Sequence, residues 1–420
     1  MKKRDNKINS SDKIKDSDTS TKKNQTVPWI VFLFSISIVL ISFVSVIFPA
    51  LLLVSDTVMI PGVDPVTPDP FEIGVWSGGV VVASIITFGL AFLYFTNRLP
   101  GFLASLFYKI FSFEISKRSA IIVMIVILAI YLVASSVELS SQETFEDYNG
   151  VKKRLDVWSP DTITSFEPHV RYFFLKSSII LFGNDRVIPL LASATLLIVT
   201  YFLTKTITQK RFAGIVSVVI LMQSNVFLVY DTTVSYTNFW ILFYLLSLYL
   251  VYRFWPLSPV SYLLSIPSKA LTAAFLPMSI YFILRSNISK KQKMVIVGIT
   301  AGIILAGGAA SLGGISTTQG TEEEFNEKEF WMGFTSFSYQ LRFDGLVLLF
   351  MIPLMVGLFL VSKSGIKHGE SIMVLISGML IIAPILTGFT NQTNQPYRFV
   401  PLVVFFAIGV GVLLSKRQVE

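Results

Sequence analysis

The stretch PWIVFLFSISIVLISFVSVIFPALLL, Pro28–Leu53, contains no charged residue. Crossing the hydrocarbon core of a bilayer takes roughly 17–25 apolar residues, so this stretch is long enough to span. It is too long for the apolar region of a secretory leader, and no small-residue cleavage site stands out after it. It reads as a retained first membrane helix. Residues 1–27 before it are mostly Lys, Asp, Ser, Thr and Asn. That composition cannot bury a core and reads as a disordered basic tail.

The rest of the chain repeats the pattern. Of 420 residues, 53% are hydrophobic and 14% charged, against about 25% charged in soluble domains. The expectation is an all-α polytopic membrane protein with about 12 transmembrane helices. The candidate spans are 28–54, 73–95, 119–137, 187–204, 212–229, 238–253, 255–267, 270–285, 294–316, 345–362, 371–388 and 398–415. The pair 255–267 and 270–285 is the shortest, since either member alone barely spans.

Charge orders these spans. The tail, the 96–118 loop (Arg98, Lys109, Lys117, Arg118), the Lys205–Arg211 and Arg285–Lys293 turns, the Lys363–Lys367 loop and Lys416-Arg417 are basic. With an even span count they all fall on one side, which the positive-inside rule makes cytoplasmic. The acidic 55–72 loop, Asp231 and Glu322-Glu323-Glu324 fall on the other. The expected location is the cell membrane, multi-pass, with both termini cytoplasmic. Two outer segments are long, 138–186 and 317–344.

Composition also excludes classes of chemistry. There is no Cys, so disulfides and thiolate metal sites are ruled out. His169 and His368 are far apart, so a His-rich metal site is not expected. The net charge of +8 lies largely in tails and loops, as for a protein held against anionic lipid, and does not point to nucleic acid. P-loop, zincin and nucleophile-elbow motifs are absent.

Six charged residues are candidates for a site. Glu146-Asp147 lies about ten residues past the third span. One carboxylate of such a pair can take a proton from an acceptor hydroxyl, although a solvated acidic loop has the same composition. Lys269, in Ile266-Pro267-Ser268-Lys269-Ala270-Leu271, stands alone among apolar residues. A charge there is costly and marks a functional position, unless it snorkels to the headgroups. Arg398 opens the last span beside Tyr397, which is also an ordinary interfacial anchor pattern. Arg171 and Lys176 sit on His169–Leu181, where Val170, Phe173, Phe174, Ile180 and Leu181 recur at helical spacing. This predicts a helix lying in the interface. Asn391-Gln392-Thr393 is an outward glycosylation sequon.

From Lys117 onward, the order of these parts resembles the GT-C superfamily of membrane glycosyltransferases, nearest its protein mannosyltransferase and aminoarabinose transferase branch. The matching parts are a span followed by Phe145-Glu146-Asp147-Tyr148, then Glu167-Pro168-His169-Val170 leading to Phe182-Gly183 and a span opened by Arg186. Lys205 to Gly214, Ser268-Lys269-Ala270-Leu271 to Pro277, and Tyr397-Arg398-Phe399 to Pro401 follow in order. Glu167 stands where the family has His, and His169 where it has a second Pro. The resemblance implies a GT-C-like core over 119–420, preceded by two additional helices over 28–118. It implies an enzyme that transfers one hexosyl or pentosyl sugar from a polyprenyl-phosphate donor to a lipid, glycan or protein acceptor on the outer side. Asp147 would be the base with Glu146 beside it. Lys269, Arg398 and, secondarily, Arg171 would hold the donor phosphate. No cofactor is required, although carboxylates in this superfamily sometimes hold a divalent metal. A lipid or glycan transporter and an inactive scaffold of an envelope complex are the alternatives.

Overall fold

The computed structural model describes residues 26–52, 69–96, 98–145, 147–159, 168–314, 325–390 and 396–415. The tail 1–25, Glu146, Glu167, Glu322–Glu324 and the Asn391-Gln392-Thr393 sequon lie outside them. Among the described residues every regular element is helical. The first helices are α1 (Thr26–Ile47), α2 (Ser77–Phe95), α3 (Gly101–Ser112) and α4 (Lys117–Ser136). Two follow in the long 138–186 segment, α5 (Asp147–Val157) and α6 (His169–Phe182). The middle of the chain forms α7 (Val187–Thr208), α8 (Arg211–Met222), α9 (Asn225–Val229), α10 (Phe239–Arg253), α11 (Leu257–Ser265), α12 (Leu276–Arg285) and α13 (Lys290–Gly314). The last are α14 (Glu327–Gly333), α15 (Thr335–Gln340), α16 (Gly345–Lys363), α17 (His368–Thr390) and α18 (Val400–Leu413).

Among the described residues, seven helical segments are long and apolar enough to cross a membrane: Thr26–Ile47, Ser77–Tyr94, Lys117–Ser140, Val187–Thr208, Gly345–Lys363, His368–Phe389 and Pro396–Leu413. The chain is a polytopic, all-helical membrane protein. Several expected spans are shorter or broken. The 212–229 stretch divides at Ser224, whose hydroxyl caps α9 by accepting from Phe227 N at 3.1 Å; a side chain competing for backbone N–H groups restarts the helix here. The 96–118 stretch, read as a loop because of its cations, contains α3. That helix is apolar but buries no side chain.

Helix α18 is central. Twelve of its residues are buried, and it packs against α7, α8, α16 and α17. Close approach requires small residues here. A Cβ at Gly411 would lie 2.3 Å from Ser217 Oγ, and one at Gly214 would lie 2.7 Å from the Tyr201 ring, which is the small-residue logic of membrane helix packing. The N-terminal helix α1 packs against α16 and α17. Ser35 and Ser377 hydroxyls meet at 3.1 Å, and Phe32 stacks on Phe359 at 4.3 Å between centroids. The two helices assigned to an N-terminal addition therefore contact the C-terminal helices directly.

The interfacial stripe expected on 169–181 is divided in two. Tyr172, Leu175 and Ser178 of α6 are buried, whereas Phe173, Ile180 and Leu181 are exposed. One face packs onto the bundle and the other faces outward. Gly183, at φ +66, ends the helix in a left-handed conformation that suits glycine.

Candidate functional site

Polar residues gather where α4, α7, α10 and α18 begin or end at one end of the bundle. The segment between α9 and α10, residues 230–238, is rich in Ser, Thr, Asp and Asn and forms no helix. Side chains take over its backbone bonding, as a non-helical segment in an apolar surrounding requires. Glu143 accepts from Val234 N at 2.6 Å and Ser235 N at 3.0 Å. Arg186 donates to Thr232 O at 3.1 Å and to Thr232 Oγ1 at 2.8 Å. Arg171 donates to Val234 O at 3.0 Å. Asn238 and Ser193 close the loop onto Asp231 O through bonds of 3.0 and 2.7 Å.

Lys269 is held by a second irregular turn. Pro267 lacks an N–H and cannot continue α11. The chain turns through Lys269 N to Ser265 O at 3.0 Å, and Tyr262 OH and Thr272 Oγ1 tie the far side at 2.7 and 2.9 Å. Lys269 itself is extended, at φ −162 and ψ 117, and starts the 3₁₀ turn Ala270–Phe275.

These turns enclose a cavity of about 410 Å³, within the usual size of a small-ligand site. Pro168, Arg171, Ser235, Tyr236, Trp240 and Lys269 line it, with Tyr397 and the 266–270 turn. Its aromatic wall is continuous. Tyr236 and Tyr397 stack at 4.2 Å and 14°. Tyr230 meets both edge-on at 5.7 and 6.0 Å, and Phe145 abuts Tyr236 at 5.4 Å.

Lys269 Nζ lies 3.5 Å from the centre of the Tyr397 ring and 5.4 Å from that of Trp240. It has no hydrogen bond or ion pair among the described residues. Arg171 makes no ion pair either, and its Nε is buried without a partner. Glu143 is close enough to act on Arg171 electrostatically, but its carboxylate oxygens accept from the two loop amides. Both cations are half-buried, and what they expose faces the cavity. Burial, and then repulsion from Arg398 and Arg171, holds the Lys269 pKa well below the ordinary lysine value. Burial likewise lowers Arg171.

Magnitudes decide what is missing. Desolvating an ammonium costs several kcal/mol, and a ring face returns about 0.5–2 kcal/mol. The two rings leave Lys269 uncompensated. A phosphate or carboxylate entering the cavity would meet two desolvated cations and an aromatic wall.

Lys269 and Arg171 line the same cavity, while Asp147 and Arg398 are one residue removed. Asp147 is exposed at the start of α5 and accepts a hydrogen bond from Tyr236 OH. Burial and that carboxylate raise the Tyr236 pKa, keeping the phenol protonated. Arg398 Cζ is 5.9 Å from the Tyr397 ring centre, and its side chain lines a smaller void beside Leu271 and Phe275. Asp147 and Arg398 therefore reach the cavity through Tyr236 and Tyr397, which line it, while Lys269 and Arg171 line it directly.

Sequence reasoning missed Tyr236, Trp240 and Ser235 as lining residues. The available signal was the run Ser235-Tyr236-Thr237-Asn238, which is polar where a span was expected to begin. Among the described residues no group of three His, Asp or Glu could hold a metal ion. No protein-family model, curated protein or solved structure matches the chain.

Proposed function

We propose that the protein transfers a sugar from a polyprenyl-phosphate donor to an acceptor outside the membrane. The carrying observation is the pair Lys269 and Arg171, partly desolvated, lacking a carboxylate partner among the described residues and facing an aromatic-walled cavity. A lipid phosphate supplies the absent negative charge, and the phosphate leaving group is where such cations lower a barrier. Tyr236, Tyr397 and Trp240 offer ring faces to a sugar or isoprenoid. Asp147 is the acceptor's base: it is exposed, so a hydroxyl can approach from water, and Tyr236 OH orients it. Arg398 adds positive potential behind Tyr397.

This reading takes the core as GT-C-like, with about twelve spans and both termini cytoplasmic. The short helices α8, α10, α11 and α12, together with α13, then complete the count. The test is sugar transfer by purified protein from a synthetic polyprenyl-phosphate sugar, with products read by mass spectrometry. Transfer should occur in wild type and fall about 10²–10⁴-fold in Asp147→Asn. Transfer that is indifferent to that substitution contradicts the assignment of the base.

A further inference from the structure

At the opposite end of the bundle, four cations from four helices converge. Lys117 opens α4, Lys205 lies in the last turn of α7, Arg211 opens α8 and Arg253 closes α10. Lys117, Arg211 and Arg253 all act on the Lys205 ammonium by Coulombic repulsion. Glu114 acts on it in the opposite sense. Its Oε1 already accepts from Arg211 N and Ile115 N, both at 3.1 Å, and lies 3.8 Å from Arg211 Nη1. Lys117, Lys205 and Arg253 make no ion pair among the described residues.

Local helix energetics account for Lys205 and Arg253, which lie at helix C-termini, but not for the other two. Lys117 and Arg211 sit at helix N-termini, where the backbone favours an anion and disfavours a cation. Two helix starts and four side chains thus favour the same sign of ligand. The surroundings set its kind. Lys205 Nζ is 5.9 and 5.8 Å from the ring centres of Tyr201 and Phe202. Phe113 and Phe212 pair edge-to-face at 4.9 Å beside it, and Phe254 is exposed next to Arg253. Aromatic residues at the ends of apolar helices mark the headgroup level. One turn into α4 from Lys117, Ile121, Ile122 and Ile125 are exposed and offer an acyl chain a track.

We propose that Lys117, Lys205, Arg211 and Arg253 form a binding site for the headgroup of an anionic phospholipid, separate from the cavity at the other end. Basic pockets between membrane helices take such headgroups. The occupant is a lipid rather than a free anion, because the cations lie at the ends of apolar helices with exposed isoleucines beneath them. The site does not depend on the glycosyltransferase reading.

The test uses full-length protein, delipidated in non-ionic detergent and titrated with dioleoyl-phosphatidylglycerol. Native mass spectrometry should show one tightly retained phosphatidylglycerol, with a thermal upshift. Two cations contribute about 1 kcal/mol each, so Lys205→Gln/Arg253→Gln should bind about thirty-fold more weakly. Lys109→Gln, on the exposed helix α3, should bind as wild type. If the double variant does not fold, Lys205→Gln alone, read by native mass spectrometry, should still lose most of the retained lipid. Equal retention of phosphatidylcholine, an unchanged affinity in the Lys205 variants, or an equal thermal upshift from inorganic phosphate would each overturn the proposal.

Discussion

Arg285 and Lys269 sit at the two ends of one short hairpin arm, 269–285, and are treated in opposite ways. Arg285 Nη2 lies 2.6 Å from both carboxylate oxygens of Glu370. Tyr281 OH and Ser362 Oγ, each at 2.9 Å, complete that carboxylate's partners. Lys269, about 27 Å away along the arm by helical rise, has two aromatic rings and, among the described residues, no anion. The same chain thus builds a neutralised half-buried cation where it needs only structure and leaves one unneutralised at a cavity. A cation kept unpaired in a desolvated place is destabilising, so the difference points to a ligand that brings the charge.

The largest expected effect is on transfer. Asp147→Asn keeps volume and removes the proposed base, so activity should fall about 10²–10⁴-fold with an unchanged melting profile. A parallel loss of thermal stability would recast Asp147 as a structural residue.

Next is stability, where the two ends should respond with opposite sign. Glu370→Gln strands Arg285, which is 25% exposed, and should cost about 3 kcal/mol. Lys269→Met strands nothing and should leave the ligand-free protein as stable or more so. Thermal unfolding in detergent checks both. A large destabilisation by Lys269→Met would show that the lysine already has a partner and would erase the contrast.

A smaller effect is expected with pH. The Lys269 pKa is depressed in the empty cavity, and a bound anion raises it, so binding takes up a proton. Anion affinity should be constant while Lys269 is protonated, then fall with rising pH by up to tenfold per unit once the empty-site pKa is passed. Lys269→Arg should flatten that profile. An identical pH profile in wild type and Lys269→Arg would remove Lys269 from the site.

Asp231 provides the smallest test, at a loop that supports the cavity. Burial pushes its carboxyl up to about 6, partly offset by a 2.6 Å hydrogen bond from Ser135. A raised carboxyl binds its proton more tightly in the folded state. Its stability contribution is therefore complete below about pH 4 and declines as pH rises through 6. Asp231→Asn should abolish that decline, worth about 3 kcal/mol, as read by melting temperature against pH. A decline that persists in the variant would place its origin elsewhere.

The contrast between the two ends was half legible in the chain. Lys269 stands out because no other charge lies within a dozen residues on either side. Arg171 and Arg398 stood out less, since cations flanking spans are common anchors. Glu370 as the partner of Arg285 could not be read, because 85 residues separate them and only packing of α12 on α17 joins them. Tyr236 and Trp240 were hidden for another reason. Aromatic residues make up 14% of the chain, and nothing local distinguishes a cavity wall from a lipid-facing ring. Helix α3 was obscured by its flanking cations, and the break at Ser224 by an apolar run that continues across it.

The central claim is that the Lys269–Arg171 cavity binds a lipid phosphate. Its most direct test is binding of a short-chain polyprenyl phosphate to the purified protein, measured beside the uncharged polyprenol and repeated on Lys269→Met/Arg171→Gln. The account predicts one-to-one binding of the phosphate, at least a hundred-fold preference over the alcohol from two charge-assisted contacts of about 1.5–3 kcal/mol each, and loss of that preference in the double variant. Equal binding of phosphate and alcohol, or a preference that survives loss of both cations, would contradict it.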